Sequence, residues 1–182
     1  NAWNNLGFKG GGTVSGVAYT EVQCYQKALA SDPSHALAWN NLGCKGGGTV
    51  SGVAYSKAQC YQKALASDPS HALAWYHLGC EGGGTVSGVA YSKAQCYQKS
   101  LAVDASYANA WNNLGCEGGG TVSGVAYTEV QCYQKALASD PSYALAWNNL
   151  SLAVDASYAN AWNNLGFKGG GTVSGQPWIR GR

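Results

Sequence analysis

The chain has 182 residues, 46% of them apolar and only 11% charged, with a formal net charge of +2. That apolar share can build a continuous core if successive segments stack, and the few scattered cations make a phosphate backbone an unlikely main target. No apolar run approaches the roughly 20 residues that span a bilayer, so neither nucleic acid nor a membrane is an expected partner.

The ordering principle is repetition. Trp3, Trp39, Trp75, Trp111 and Trp147 recur with a period of 36 residues, and the 26 glycines fall in register with them. A fixed period in this range marks stacked supersecondary units. The expected organisation is one repeat array over 1–175, with units at 1–30, 31–66, 67–102 and 103–138, a truncated unit at 139–154 and a partial one at 155–175. Residues 176–182 match no repeat. Asn1 opens inside a unit, so the chain reads as a fragment.

One unit shows the expected elements in order. Ser31-Asp32-Pro33-Ser34 predicts a helix start, with Asp32 as cap and Pro33 in the first turn. Ala36, Ala38, Trp39 and Leu42 then keep helical spacing, and Gly43 is the expected stop. Gly46-Gly47-Gly48 cannot continue a helix cheaply. Thr49-Val50, Ser51-Gly52 and Val53-Ala54 predict an ordered loop of hairpin character. Ser56-Lys57-Ala58-Gln59 is a capping box, repeated at Thr20–Gln23, Ser92–Gln95 and Thr128–Gln131. Behind it Cys60, Tyr61, Ala64 and Leu65 form an apolar face, with Gln62 and Lys63 toward solvent, and the helix is expected to end at Ser67-Asp68-Pro69. The fold class is therefore all-α, built of helix–loop–helix units.

These residues resemble the tetratricopeptide repeat family. Trp39, Leu42 and Gly43 fit its first helix, and Tyr61, Ala64 and Pro69 fit its second helix and the turn that follows. The resemblance runs to about Gly175 and implies an α-solenoid whose first helices line a concave, partner-binding face. The unit departs from the family's usual period of about 34 and carries a Gly-rich segment at the end of the first helix. Sel-like repeats are the second family it resembles, although the Asp-Pro link favours the tetratricopeptide form.

The period breaks once. Trp162 follows Trp147 after 15 residues, and the equivalents of 115–135 are missing. With no Gly stop left, one fused helix is expected from Ser142 to about Val154. Asn149-Leu150-Ser151, a glycosylation sequon, exists only through this deletion.

The seven cysteines also follow the repeat, as Cys24, Cys60, Cys96 and Cys132 and as Cys44, Cys80 and Cys116. Their odd number argues against a fully paired framework. Packed, inert thiols are the expectation, with a Cys44–Cys60 type of bridge open in an oxidising compartment. The compartment itself is undetermined, with a slight lean toward the cytoplasm.

The chemistry on offer is modest. The glycine loop follows a helix and lacks the Lys-Ser/Thr of a phosphate-binding loop. His71, His77 and Cys80 make a poor metal set, because the other units place Tyr107, Tyr143 and Asn113 at the histidine positions. No catalytic constellation, cofactor or metal is expected. The best signal is the asparagine pair after each Trp. A carboxamide both donates and accepts, so it can pair with any peptide backbone, and Leu37, Asn40, Asn41 and Cys44 share one helical face. The candidate peptide-binding residues are Asn5, Asn40, Asn41, His77, Asn112, Asn113, Asn149 and Asn164. This series resembles the asparagine ladder of the O-GlcNAc transferase repeats. The competing reading has these residues solvating the face or bonding between neighbouring helices. The expected function is a protein- or peptide-binding scaffold rather than an enzyme. The alternative is a structural protein that self-associates head to tail into filaments.

Overall fold

Three consecutive glycines decide where each first helix ends. The computed structural model describes the backbone of residues 2–167 and the side chains of residues 2–156. In it α3 runs Ala36–Cys44, past Gly43. The stop comes later, where Gly46 and Gly47 take φ of +103° and +88°. Gly47 N–H donates to the Leu42 carbonyl and Gly46 N–H to that of Gly43, each at 3.0 Å, the paired bonds of a Schellman cap. The expectation that Gly43 ends the helix is thus corrected.

Gly43 has a different role. A Cβ there would lie 2.5 Å from Cε1 of Tyr61, so its missing side chain is what lets the tyrosine ring rest on the first helix. The contact recurs as Gly7–Tyr25, Gly79–Tyr97 and Gly115–Tyr133.

The glycines then lead into a hairpin. β3 (Gly48–Val50) pairs antiparallel with β4 (Val53–Tyr55), with Val50 opposite Val53. Between them Ser51 and Gly52 have φ of +49° and +83°, the two positive values that a type I′ turn requires. So small a hairpin is marginal alone; here Tyr55 anchors it, meeting Trp39 edge to face at 4.8 Å. The second helix, α4 (Lys57–Ser67), opens on the expected capping box, in which Ser56 and Gln59 each bond the other's backbone N–H. Cys60, Tyr61, Ala64 and Leu65 are all buried. Lys63 is exposed, whereas Gln62 is half-buried rather than fully solvated, because its carboxamide lies against Gly84 of the next unit.

The link between units corrects the expected cap. Asp32 closes α2 (Glu21–Ser31) from the C-terminal side, while its carboxylate accepts from the N–H and hydroxyl of Ser34 at 3.0 and 2.6 Å. An aspartate captured in such a local turn cannot cap the following helix. His35 does so instead, its Nδ1 accepting from Ala38 N–H at 3.3 Å. Trp39 pins the same turn by donating its indole N–H to the Pro33 carbonyl at 2.8 Å.

The pattern repeats as α1 (Ala2–Phe8), β1 (Gly12–Val14), β2 (Val17–Tyr19) and α2, then α5 (Ala72–Cys80), β5 (Gly84–Val86), β6 (Val89–Tyr91) and α6 (Lys93–Val103). It recurs again as α7 (Ala108–Cys116), β7 (Gly119–Val122), β8 (Val125–Thr128) and α8 (Glu129–Ser139), and the described chain ends with α9 (Ala144–Phe167). The protein is therefore mostly helical, in repeated helix–loop–helix units with short antiparallel strand pairs. Each helix packs on its chain neighbours, and two core clusters meet on α6, one reaching Cys96 and the other beginning at Tyr97.

The deletion leaves its mark on α9. No loop interrupts 149–151, as expected, but the helix continues to Phe167, well beyond Val154. Residues 151–166 repeat residues 100–115 letter for letter, yet the earlier copy breaks at Asp104 between α6 and α7. Leu101 is 1% exposed and its counterpart Leu152 is 61% exposed. Among the described residues of the second copy none is buried, and α9 continues through it without a break. Trp147, which lacks a hairpin tyrosine, is likewise left exposed.

Replacing Gly79 by Ala separates two effects of opposite sign. Helix propensity alone predicts a gain of about 1 kcal/mol, but the Cβ would sit 2.6 Å from the buried Tyr97 ring, and overpacking costs roughly 1–3 kcal/mol. We expect Gly79→Ala to lower the unfolding midpoint; a raised midpoint would show the contact is not limiting.

Candidate functional site

The asparagines of the first helices divide into two classes. Asn4, Asn40 and Asn112, the first of their pairs, are 3%, 3% and 4% exposed. They point between units and are bonded there. Asn41 donates to Asn4 Oδ1 at 3.2 Å, and Asn149 donates to Asn112 Oδ1 at 3.0 Å. His77 stands in the same slot, its Nδ1 3.0 Å from Asn40 Oδ1, a contact that requires a proton on Nδ1. Each bond spans 37 residues, from the second member of one pair to the first member of the pair before it. Where Tyr76 replaces the first asparagine, Asn113 instead reaches the Cys80 sulfur at 3.9 Å.

The candidate residues therefore occupy different places. Asn40 and Asn112 are sealed in the inter-unit contact. Asn41, His77, Asn113 and Asn149 are half-buried, and Asn5 is exposed. Asn164 lies on the backbone of α9, and its side chain falls outside the described residues, as do 168–175 and the tail 176–182. The reading in which these residues bond between neighbouring helices is observed for the pairs above. What remains accessible is one row, Asn5, Asn41, His77, Asn113 and Asn149, with Leu37 and Leu73 one turn away, 44% and 42% exposed.

On the other side of that row lies a feature sequence reasoning missed. Cys44, Cys80 and Cys116 are exposed, which corrects the expectation that every cysteine is packed. Tyr61, Tyr97 and Tyr133 donate their hydroxyls to these sulfurs at 3.7–3.9 Å. Cys44 also lies 3.6 Å from His77 Nδ1. The signal was available in the spacing, since position 44 shares a helical face with Asn41 and recurs 33 residues before His77, Asn113 and Asn149. The Cys44 sulfur lies 3.6 Å from Nδ1 and 4.0 Å from Nε2 of His77, and it is the nearer nitrogen that also faces Asn40 Oδ1, whereas a base oriented by a third group is held through the nitrogen opposite its nucleophile.

The second cysteine series behaves as expected. Cys24, Cys60, Cys96 and Cys132 are fully buried, and burial pushes the Cys60 and Cys96 thiols up to about 12. All seven thiols are free, and no Cys44–Cys60 bridge forms. His71 caps α5 through a bond from Ala74 N–H, and among the described residues no three His, Cys, Asp or Glu side chains are grouped to hold a metal ion. Nor is any described helix long and apolar enough to cross a membrane.

Burial holds His77 below its ordinary value of 6.5, with nearby His71 adding to the effect and Glu81 opposing it. His71 is lowered in the same direction. Below pH 6.5 the unfolded chain therefore takes up more protons than the folded one. The stability these groups contribute is complete above that pH and is lost as pH falls through their folded values. We expect the unfolding midpoint to drop between pH 7 and pH 5, and His77→Asn, which restores the amide found in the other units, to reduce the drop. An unchanged pH profile in that variant would place the acid sensitivity elsewhere. No protein-family model and no curated protein matches the chain, so function rests on these residues.

Proposed function

We propose that the chain is a tetratricopeptide-like repeat scaffold, a solenoid of its helical units that binds an extended peptide or protein segment along the first helices. The observation that supports this reading is the row Asn5, Asn41, His77, Asn113 and Asn149, held accessible at one point per unit beside the exposed Leu37 and Leu73. A carboxamide carries two donor hydrogens and an oxygen with two lone pairs. One inter-unit bond from Asn41 to Asn4 leaves capacity for a peptide backbone, and the neighbouring leucines offer shallow apolar contact. Asn40 and Asn112 take no part in the binding. They fix the spacing of the row.

A random twelve-residue peptide library displayed on phage provides the test. Selected peptides should bind Leu37→Ser/Leu73→Ser at least tenfold more weakly, while its helical circular dichroism stays unchanged. Clones that bind the double variant as well as the parent would place the site off this face. Asn41→Ala is the poorer probe, because it strips the buried Asn4 oxygen of its donor and mixes stability with binding.

Self-association is the second reading, supported by Leu145, Trp147 and Leu152 of α9, which are 59%, 55% and 61% exposed. It predicts a mass that rises with concentration in light scattering and that Trp147→Ser returns to the monomer. A monomer at every concentration would remove it.

A further inference from the structure

The second helices and hairpins carry a second periodic feature. Between a second helix and the hairpin of the following unit lies an open cleft, repeated three times with volumes of about 260, 300 and 280 Å³. The third copy is lined by Tyr91, Gln95, Gln98, Lys99, Thr121 and Ser123. Where the deletion removes the next hairpin, Tyr127, Gln131, Gln134 and Lys135 line a fourth copy without the hydroxyl wall.

Each cleft holds one lysine. Lys27, Lys63, Lys99 and Lys135 extend over Tyr19, Tyr55, Tyr91 and Tyr127 at 5.7–5.9 Å. None of the four has an acidic partner among the described residues, whose three ion pairs join Lys45 to Glu21, Lys57 to Glu81 and Lys93 to Glu117. The aspartates at the ends of the second helices are engaged too, accepting from Ser34, Ser70, Ser106 and Ser142. Positive charge is thus left unmatched in one row, once per unit. Beside it, Gln26, Gln62 and Gln98 are half-buried against Gly48, Gly84 and Gly120, with no hydrogen bond from their carboxamides among the described residues. The other cleft glutamine, Gln95, accepts from Ser92 N–H through its carboxamide oxygen and keeps its amide hydrogens. The cleft therefore offers a cation, a free carboxamide and two hydroxyls in a fixed arrangement.

We infer that this row of clefts binds an acidic peptide in extended form, with its carboxylates on the lysines and its backbone amides on the glutamines. The spacing favours a peptide over a polyphosphate. The axes of packed helices lie about 8–10 Å apart, so identical positions in successive units are at least that far from each other. An extended peptide rises about 3.3 Å per residue, so acids at least three residues apart are needed to reach successive lysines. Phosphates on a nucleic-acid strand recur every 3.4 Å or so of axis, and one lysine per unit would leave most of them unpaired.

The probe is a fluorescein-labelled twelve-residue peptide with Glu at every third position and Gly-Ser between, followed by anisotropy at low salt. We expect the whole chain to bind it, Lys63→Gln/Lys99→Gln to bind at least tenfold more weakly with unchanged circular dichroism, and Leu37→Ser/Leu73→Ser to bind like the parent. No binding by the parent chain, equal binding by the lysine double variant, or stronger competition from an oligodeoxythymidine than from unlabelled peptide would each overturn the assignment.

Discussion

The contact between Gly43 and Tyr61 is the constraint on which the rest of each unit depends. Helix propensity disfavours glycine in α3 by about 1 kcal/mol relative to alanine, and no turn is gained in exchange. What the missing Cβ permits is close approach, because the Tyr61 ring occupies the space a side chain would fill. With the two helices that close, the segment joining them has to leave α3 sharply. It does so through the left-handed Gly46 and Gly47 and returns through the tight hairpin at Ser51-Gly52. Tyr55 then packs on Trp39, and Trp39 ties the inter-unit turn through the Pro33 carbonyl. The truncated unit supports this dependence from the other direction. Ser151 stands in the glycine slot there, no tyrosine partner exists, and α9 runs on without a turn.

Much of this was legible because local chemistry and global packing agree. The four capping boxes, the two-residue hairpin turn and the apolar face of Cys60, Tyr61, Ala64 and Leu65 all form where residue type and spacing place them. The errors arose where one residue type serves two purposes. Glycine after an apolar run can end a helix or admit a neighbour, and Gly43 does the second. Aspartate before proline can cap the next helix or close a turn on itself; the hydroxyl of Ser34 two residues on captures Asp32 for the turn. The identical stretches 100–115 and 151–166 show the limit of local reading. The same letters break between α6 and α7 and continue through α9, and they differ in burial: Leu101 is buried, whereas its counterpart Leu152 is largely exposed.

The candidate site was legible as a periodicity and opaque as a geometry. That Asn40 and Asn41 recur is plain from the sequence; that one is sealed and the other accessible is set by partners 37 residues away. The exposed thiols were misjudged for a related reason. Cys44 and Cys60 look equivalent by composition, but Cys60 sits inside the second helix's apolar face, whereas Cys44 ends α3 at the surface.

A repeat array has to use some of its polar groups to hold neighbouring units in register, and those groups are then less available to a ligand. On the first-helix face the amides are largely committed in this way, since Asn41 bonds Asn4 and Asn149 bonds both Asn112 and Cys116. Any recognition there works with the capacity left over, and the exposed leucines would have to supply most of the affinity. The second-helix face has the reverse arrangement. Its inter-unit contacts include ion pairs such as Lys57–Glu81 and glycine backbones under Gln62, and the cleft lysines keep no acidic partner among the described residues. Partly exposed ion pairs contribute about 0–1 kcal/mol each, which makes them cheap devices for fixing register. The first helices thus carry amides largely bonded between units, and the second helices carry lysines with no acidic partner among the described residues, so the groups that hold register and those left over for a ligand are distributed unevenly between the two helices of each repeat.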